Sequence, residues 1–294
     1  MQENNPPIRH IEGQLQVSGS TGLYWQSWTP PEKPIAVLIL IHGFGEHSGR
    51  YPYFVERLCA DNIAVFAFDL RGHGKTTGRR GHIQSINEFR DDVGAFVKNV
   101  RSELPGVPVF IFGHSMGSLV VLDYVLRHPE GLAGTIISGS GLEPAGVATA
   151  PVVFLARVLS VVWPVFPIRL PVDATGLSRI ESEIERYNND PLVHNISSAR
   201  MANELLNAID WIKTHPQDLQ IPLLMVHGEA DRVNLPSGSS NFFSAVSFPD
   251  KELVLYPGGF HELHNDLDKE KELGDIIRWL HDRVESNSTA AVDH

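Results

Sequence analysis

Short uninterrupted apolar runs recur along this chain, separated by longer stretches in which apolar positions return at helical spacing. Residues 35–41 read IAVLILI between Pro34 and His42-Gly43, and residues 63–68, 109–112, 133–138, 223–226 and 252–256 are of the same kind. Runs without polar alternation suit strands buried on both faces of a parallel sheet. Residues 15–17 and 23–28, joined around Gly19 and Ser20, predict an opening antiparallel hairpin. The segments 51–61, 86–103, 117–128, 237–246 and 268–284 predict helices; in the second, Phe89, Val93, Phe96, Val97 and Val100 share one face. Alternation of strand and helix implies right-handed crossovers and an α/β fold with a mostly parallel, doubly wound sheet of eight strands.

One stretch breaks the rhythm. From residue 143 to 216 the sequence is helical and Pro-rich with no strand pattern, and sheet alternation resumes at Ile221. That is too long for a loop and reads as an inserted helical cap. The expected organisation is a core of residues 1–142 and 217–286, a cap of 143–216, and a disordered tail of 287–294, whose final AAVDH reads as a cloning remnant.

Composition narrows the partners. The 294 residues carry 24 Lys and Arg against 35 Asp and Glu, a net charge of −11, which argues against nucleic acid or an anionic membrane as an electrostatic partner. Cys59 is the single cysteine, so neither a disulfide framework nor a cysteine-rich zinc module is available. The polar, Pro-containing start MQENNPPIRH lacks the basic and apolar regions of a secretory signal, which points to a cytoplasmic protein. The longest apolar stretch, 151–168, is interrupted by Arg157, Pro164 and Pro167 and is too broken to span a bilayer. No phosphate-binding loop, dinucleotide fingerprint or zinc spacing is present, and neither a metal nor an organic cofactor is implied.

The most informative run is VFIFGHSMGSL, residues 109–119: a buried strand, then G-x-S-x-G, then a helix. In that context the motif is a nucleophile elbow. Ser115 must occupy a sharp, strained turn, and Gly113 and Gly117 leave room for it. The hydroxyl is then lifted to a helix N-terminus, where the Met116 N–H faces an oxyanion. Serine needs a histidine base oriented by a carboxylate, and in this fold both follow on loops after later strands. After residues 223–226 comes HGEAD, making Asp231 the candidate acid with Glu229 its nearest rival. After residues 252–256 comes PGGFHELH, where His261 and His264 compete for the base and His261 follows the Gly258-Gly259 turn more closely. His114, beside the nucleophile, reads as a packing residue. The second oxyanion donor is expected from the loop HGFGEH after the strand at 35–41, at the Phe44 N–H.

These segments resemble the α/β-hydrolase superfamily, and within it the monoacylglycerol lipase family (monoglyceride lipase and lysophospholipase-like proteins). The marks are HGFGEHSGRY at 42–51, DLRGHGKTTGRRGH at 69–82, GHSMGS at 113–118, LSR at 177–179, YNNDPL at 187–192, HGEADRV at 227–233 and YPGGFHELHND at 256–266. The resemblance covers nearly the whole chain. It implies a triad of Ser115, Asp231 and His261 and oxyanion donors at Phe44 and Met116. It also implies a glycerol-end set of Glu46, Arg50, Tyr187 and His264. Relatives often carry a small residue where Phe44 stands. For Glu46 and Arg50 the competing reading is a surface ion pair, and Asp69, Arg71 and His73 read as structural.

The cap opens with a helix apolar almost all round, from Val152 to Trp163, as expected of a segment that is buried or faces lipid. Part of it is expected to line an acyl tunnel and part to touch a membrane or micelle reversibly, against the plainer alternative of packing on the sheet. The expected substrate is a lipid ester, foremost a monoacylglycerol. The alternatives are a lysophospholipase, a general carboxylesterase, a cap-bearing peptidase, or a non-catalytic ligand-binding relative. Oligomeric state and acyl-length preference are not encoded legibly.

Overall fold

The run at 36–41 shows why this chain folds as it does. Every side chain in it is fully buried, and the strand's two faces enter different apolar clusters. Val37, Ile39 and Ile41 pack on one side and Ala36, Leu38 and Leu40 on the other. A strand of this kind is stable only with helices on both faces, and each large side chain so buried contributes roughly 1.5–3 kcal/mol.

The computed structural model describes residues 8–17, 22–146, 150–170 and 172–290. Ten strands are present among them: β1 Arg9–Gln16, β2 Gly22–Thr29, β3 Ala36–Ile41, β4 Ile63–Phe68, β5 Val109–His114, β6 Gly134–Ser138, β7 Pro167–Arg169, β8 Ile196–Ser198, β9 Leu223–Gly228 and β10 Lys251–Tyr256. Eight form one sheet in the order β1-β2-β4-β3-β5-β6-β9-β10. The pairs β1–β2 and β2–β4 are antiparallel, and all others in that sheet are parallel. This is the mostly parallel, doubly wound α/β sheet that the apolar runs predict.

The helices are α1 Pro52–Ala60, α2 Ile86–Glu103, α3 Met116–Val125, α4 Ala150–Val162, α5 Glu181–Asn189, α6 Ala199–Thr214, α7 Pro236–Ala245 and α8 Lys269–Ala290. α1 and α8 cover one face, where Phe54, Leu58, Ile276 and Trp279 meet Phe110 and Phe112. α2, α3, α6 and α7 cover the other. α6 comes from the inserted segment between β6 and β9, yet Met201, Ile209 and Ile212 enter the core cluster. It packs against α4 on one side and α3 on the other, tying insertion to sheet.

Three local expectations need correction. β1 begins at Arg9 rather than residue 15, because an edge strand is held by its ladder to β2 and needs no apolar period. The segment 143–216 is not free of strands: β7 and β8 form a two-stranded antiparallel pair, too short to leave a pattern. α8 runs past residue 284 to Ala290, since no Gly or Pro follows Val284 to stop it, so 287–290 are helical rather than tail. The turn at Gly19 and Ser20 and residues 291–294 lie outside the described residues. Among the described residues, no helix is long and apolar enough to cross a membrane.

Candidate active site

β5 ends at His114 and α3 begins at Met116, so Ser115 alone makes the turn between them. Its backbone sits at φ 52°, ψ −119°, a conformation that costs a non-glycine residue about 1–3 kcal/mol. The flanking glycines make the turn sterically feasible. A Cβ on Gly117 would lie 2.3 Å from the Ile41 carbonyl oxygen, and one on Gly113 would lie 2.6 Å from that of Gly117.

Two other strand ends bring their loops to the same rim. His261, after β10, places Nε2 2.9 Å from Ser115 Oγ and Nδ1 2.7 Å from Asp231 Oδ2, after β9. The carboxylate fixes the tautomer: Nδ1 carries the proton, and Nε2 accepts from the serine hydroxyl. Glu229 is exposed and takes no part in this chain of bonds. Asp231 Oδ1 accepts from the Val233 and Asn234 N–H groups at 2.8 and 3.0 Å, and Oδ2 also accepts from His227 Nε2 at 3.0 Å. Burial pushes the Asp231 carboxyl upward, but the charges and hydrogen bonds of His261 and His227 outweigh it and hold it well below the carboxylate range. Burial lowers the His261 pKa, and the Asp231 charge more than restores it, leaving it above the ordinary imidazole value. His114 is buried, tilted against His261 with ring centroids 4.7 Å apart, and kept neutral chiefly by desolvation.

The loop after β3 lies beside the nucleophile. Among the described residues nothing accepts from the Phe44 or Met116 N–H. The Phe44 ring packs edge-on against His73 and His194, and the His194 N–H donates to the Gly45 carbonyl at 2.8 Å, so the insertion steadies this loop. Asp69 accepts from Ser48 and the Lys75 N–H, Arg71 pairs with Asp92 on α2, and His73 bonds the Arg71 carbonyl. These bonds brace the loop's underside.

Two cavities touch Ser115. The larger, about 310 Å³, is lined by Leu119, Val153, Ile168, Leu205, Leu206 and Ile209 among other apolar side chains. The smaller, about 70 Å³, is lined by Glu46, Arg50, Tyr187, Glu262 and His261. Arg50 bonds Glu46 at 3.0 Å and Glu262 at 2.7 and 2.9 Å, beneath the Tyr187 ring. All are buried, so the surface-ion-pair reading of Glu46 and Arg50 does not hold: the pair is sealed by a third partner and the insertion. Burial pushes the Tyr187 phenol up to about 12.

His264 does not reach this cavity. The turn at Leu263–Asn265 rotates it inward, where it stacks on Tyr51 at 4.6 Å and abuts Phe54 and His114. Neither ring nitrogen has a hydrogen-bond partner among the described residues, and burial pushes its pKa down to about 4.

The profile of the family described as "Serine aminopeptidase, S33" matches residues 32–268. The chain belongs to this family of α/β hydrolases. It is 32% identical over 89% of its length to the monoacylglycerol lipase of Mycolicibacterium smegmatis, covering 94% of that protein. It is 34% identical over 92% of its length to an uncharacterized abhydrolase domain-containing protein of Dictyostelium discoideum, of which it spans only 29%. The crystal structure of Paleococcus ferrophilus monoacylglycerol lipase superposes with a TM-score of 0.82 at 31% identity, covering 89% of this chain and 99% of that one.

Within this hydrolase, three contributors are not singled out by the sequence pattern. His227 is fully buried between Asp231 and Ser239 Oγ (2.7 Å), and its spacing of four from Asp231 is its one sequence clue. Asn234 Nδ2 donates to the Gly139 carbonyl at 3.0 Å and lies 3.5 Å from Ser115 Oγ. Glu262, next to His261 in the chain, turns the other way onto Arg50.

Proposed function

We propose that this serine ester hydrolase cleaves monoacylglycerols to fatty acid and glycerol, with Ser115 as nucleophile, His261 as base and Asp231 as the orienting acid. One observation carries the reading: a larger apolar cavity and a small polar one meet at a serine hydrogen-bonded to a carboxylate-held imidazole. The apolar cavity suits an acyl chain and the polar one a glycerol-sized alcohol. The similarity to the monoacylglycerol lipase of Mycolicibacterium smegmatis supports the same substrate class.

Ser115 Oγ attacks the ester carbonyl carbon as His261 Nε2 takes its proton. The Phe44 and Met116 N–H groups receive the oxyanion. Collapse expels the alcohol, which takes the proton from His261, and leaves the acyl-serine. Water then attacks this ester, giving its proton to the same nitrogen, and fatty acid departs as the serine hydroxyl is restored. Glu46, Arg50 and Tyr187 are assigned to the alcohol end; His264 supports the wall behind them. Residues 143–216 act as the cap, and the exposed face of α4 makes a reversible contact with a bilayer or micelle.

The test is release of fatty acid from monoacylglycerols graded by acyl length, beside aminoacyl amides and p-nitrophenyl esters. Ser115→Ala should lower kcat by about 10⁴-fold or more while the thermal midpoint is retained. A variant that keeps its rate, or a wild type that prefers the amides, overturns the reading.

A further inference from the structure

We propose that Glu262 makes the alcohol side of the site reject anionic leaving groups, so that esters of polyols or cationic alcohols are cleaved and phosphate-bearing glycerol esters are not. The inference deepens the reading of Ser115 as an ester-cleaving nucleophile and rests on it.

Glu46 Oε1 accepts from the Gly43 N–H at 2.6 Å and the Tyr51 hydroxyl at 2.7 Å, and Oε2 accepts from Arg50 at 3.0 Å. Glu262 accepts from both terminal nitrogens of Arg50, at 2.7 and 2.9 Å, and from Asn265 Nδ2 at 2.9 Å. Every partner donates, so both groups are held as carboxylates, each only 3% exposed. One guanidinium therefore lies between two buried carboxylates, and the cluster carries one net negative charge.

Among the described residues no other arginine or lysine lines this cavity, and any charge on His261 is matched by the Asp231 carboxylate bonded to it. The remaining titratable lining residues are Tyr187, His114 and His261, and the first two are held neutral by burial. Arg50 spends three of its N–H groups on the two carboxylates, whose combined charge exceeds its own, and the Tyr187 ring covers its face at 4.7 Å to the centroid. A phosphate is held where positive charge is in excess, and here the guanidinium is outnumbered by carboxylates. This cavity offers carboxylate oxygens with spare lone pairs, which accept from hydroxyls or attract a cation and repel a phosphate. With water largely excluded, the repulsion is weakly screened.

Glu262 decides the sign. Glu46 alone would neutralise Arg50; the second carboxylate makes the cluster negative. Glu262→Gln keeps the volume and an oxygen for Arg50 while removing the excess charge.

The experiment compares three soluble octanoyl esters on one acyl chain: 1-octanoylglycerol, 1-octanoylglycerol 3-phosphate and octanoylcholine. In the wild type, kcat/KM for the phosphate ester should fall below that for octanoylglycerol by about tenfold or more, with octanoylcholine accepted. In Glu262→Gln, the phosphate-to-glycerol ratio of kcat/KM should rise by roughly tenfold. A measurement on the wild type needs no variant to fold: free glycerol should slow p-nitrophenyl butyrate hydrolysis, and glycerol 3-phosphate should not. Equal cleavage of neutral and phosphate esters, inhibition by glycerol phosphate matching glycerol's, or a ratio unmoved in Glu262→Gln overturns the proposal. If octanoylcholine is cleaved while octanoylglycerol is not, the glycerol reading falls and the charge rule stands.

Discussion

The larger cavity at Ser115, about 310 Å³, is walled by leucines, isoleucines and valines; the smaller, about 70 Å³, holds two glutamates and an arginine. Phe44, Ser115, Val172 and Val233 belong to both. The apolar wall binds by contact area and shape, so it discriminates weakly between neighbouring chain lengths. The charged wall binds by paired donors and acceptors, where one missing partner is expensive because the rest stay buried. On the proposed assignment, selectivity for the alcohol and tolerance toward the acyl chain come from different chemistry on the two sides of one oxygen. The difference also separates their stability: the apolar side can lose a methyl and relax, whereas the charged side fails as a unit.

The largest expected effect follows from that unit. Arg50→Ala removes the cation between Glu46 and Glu262 and should destabilise the protein by about 3–5 kcal/mol near neutral pH, read by urea denaturation. Glu262 sets the dependence on pH. Burial raises its pKa, but the Arg50 charge and hydrogen bonds outweigh that and hold it well below the carboxylate range. Its contribution is thus present above the unfolded-state pKa and lost as pH falls through the depressed folded one. Without Arg50, burial acts unopposed and the folded pKa rises. Stability is then greatest where Glu262 is protonated and falls as pH rises through its raised value. The gap between variant and wild type should therefore narrow on going from pH 8 to pH 5. A gap that widens instead would mean that Arg50 is not what holds the two carboxylates.

The same contrast governs what the sequence reveals. Buried strands are legible because residues 36–41 or 63–68 have no polar face, and their ends mark the rim where Ser115, Asp231 and His261 come together. The edge strand β1 is hidden because its pairing uses backbone groups that any side chain permits. β7 and β8 are hidden because three residues carry no period. His227, Asn234 and Glu262 are silent for another reason: their partners are set by loop geometry. His264 is misjudged because its neighbour His261 points to the serine while a single short helical turn carries it inward. Burial patterning travels with local sequence; the wiring of polar groups does not.

The next effect is smaller and falls on the apolar side alone. Leu206 lines the larger cavity from α6 and is absent from the lining of the smaller one. Leu206→Trp adds an indole to the acyl path. It should lower kcat/KM for long-chain monoacylglycerols by roughly tenfold and leave butyryl esters within about twofold, because a short acyl group stops before the obstruction. A uniform loss at all lengths would mean that the tryptophan disturbs the loop at Phe44 rather than the acyl path.

The smallest effect tests where the apolar cavity opens. α4 carries Ala156 and Ser160 inward, while Phe154, Val161 and Val162 are about 70% exposed and Trp163 is 55% exposed. A helix with one face against a cavity wall and the other apolar to solvent is suited to rest on a lipid surface. The contact is expected to be hydrophobic, since a chain with net charge −11 gains nothing from anionic headgroups. Phe154→Ser with Val161→Ser should weaken partition onto zwitterionic phosphatidylcholine vesicles by about threefold to tenfold, measured by co-sedimentation. Hydrolysis of a soluble short ester should stay unchanged, because neither residue lines either cavity. Raising salt should leave the wild type's partition intact. Release by salt would show instead that charged groups hold the surface, and α4 would then be only the outer wall of the acyl cavity.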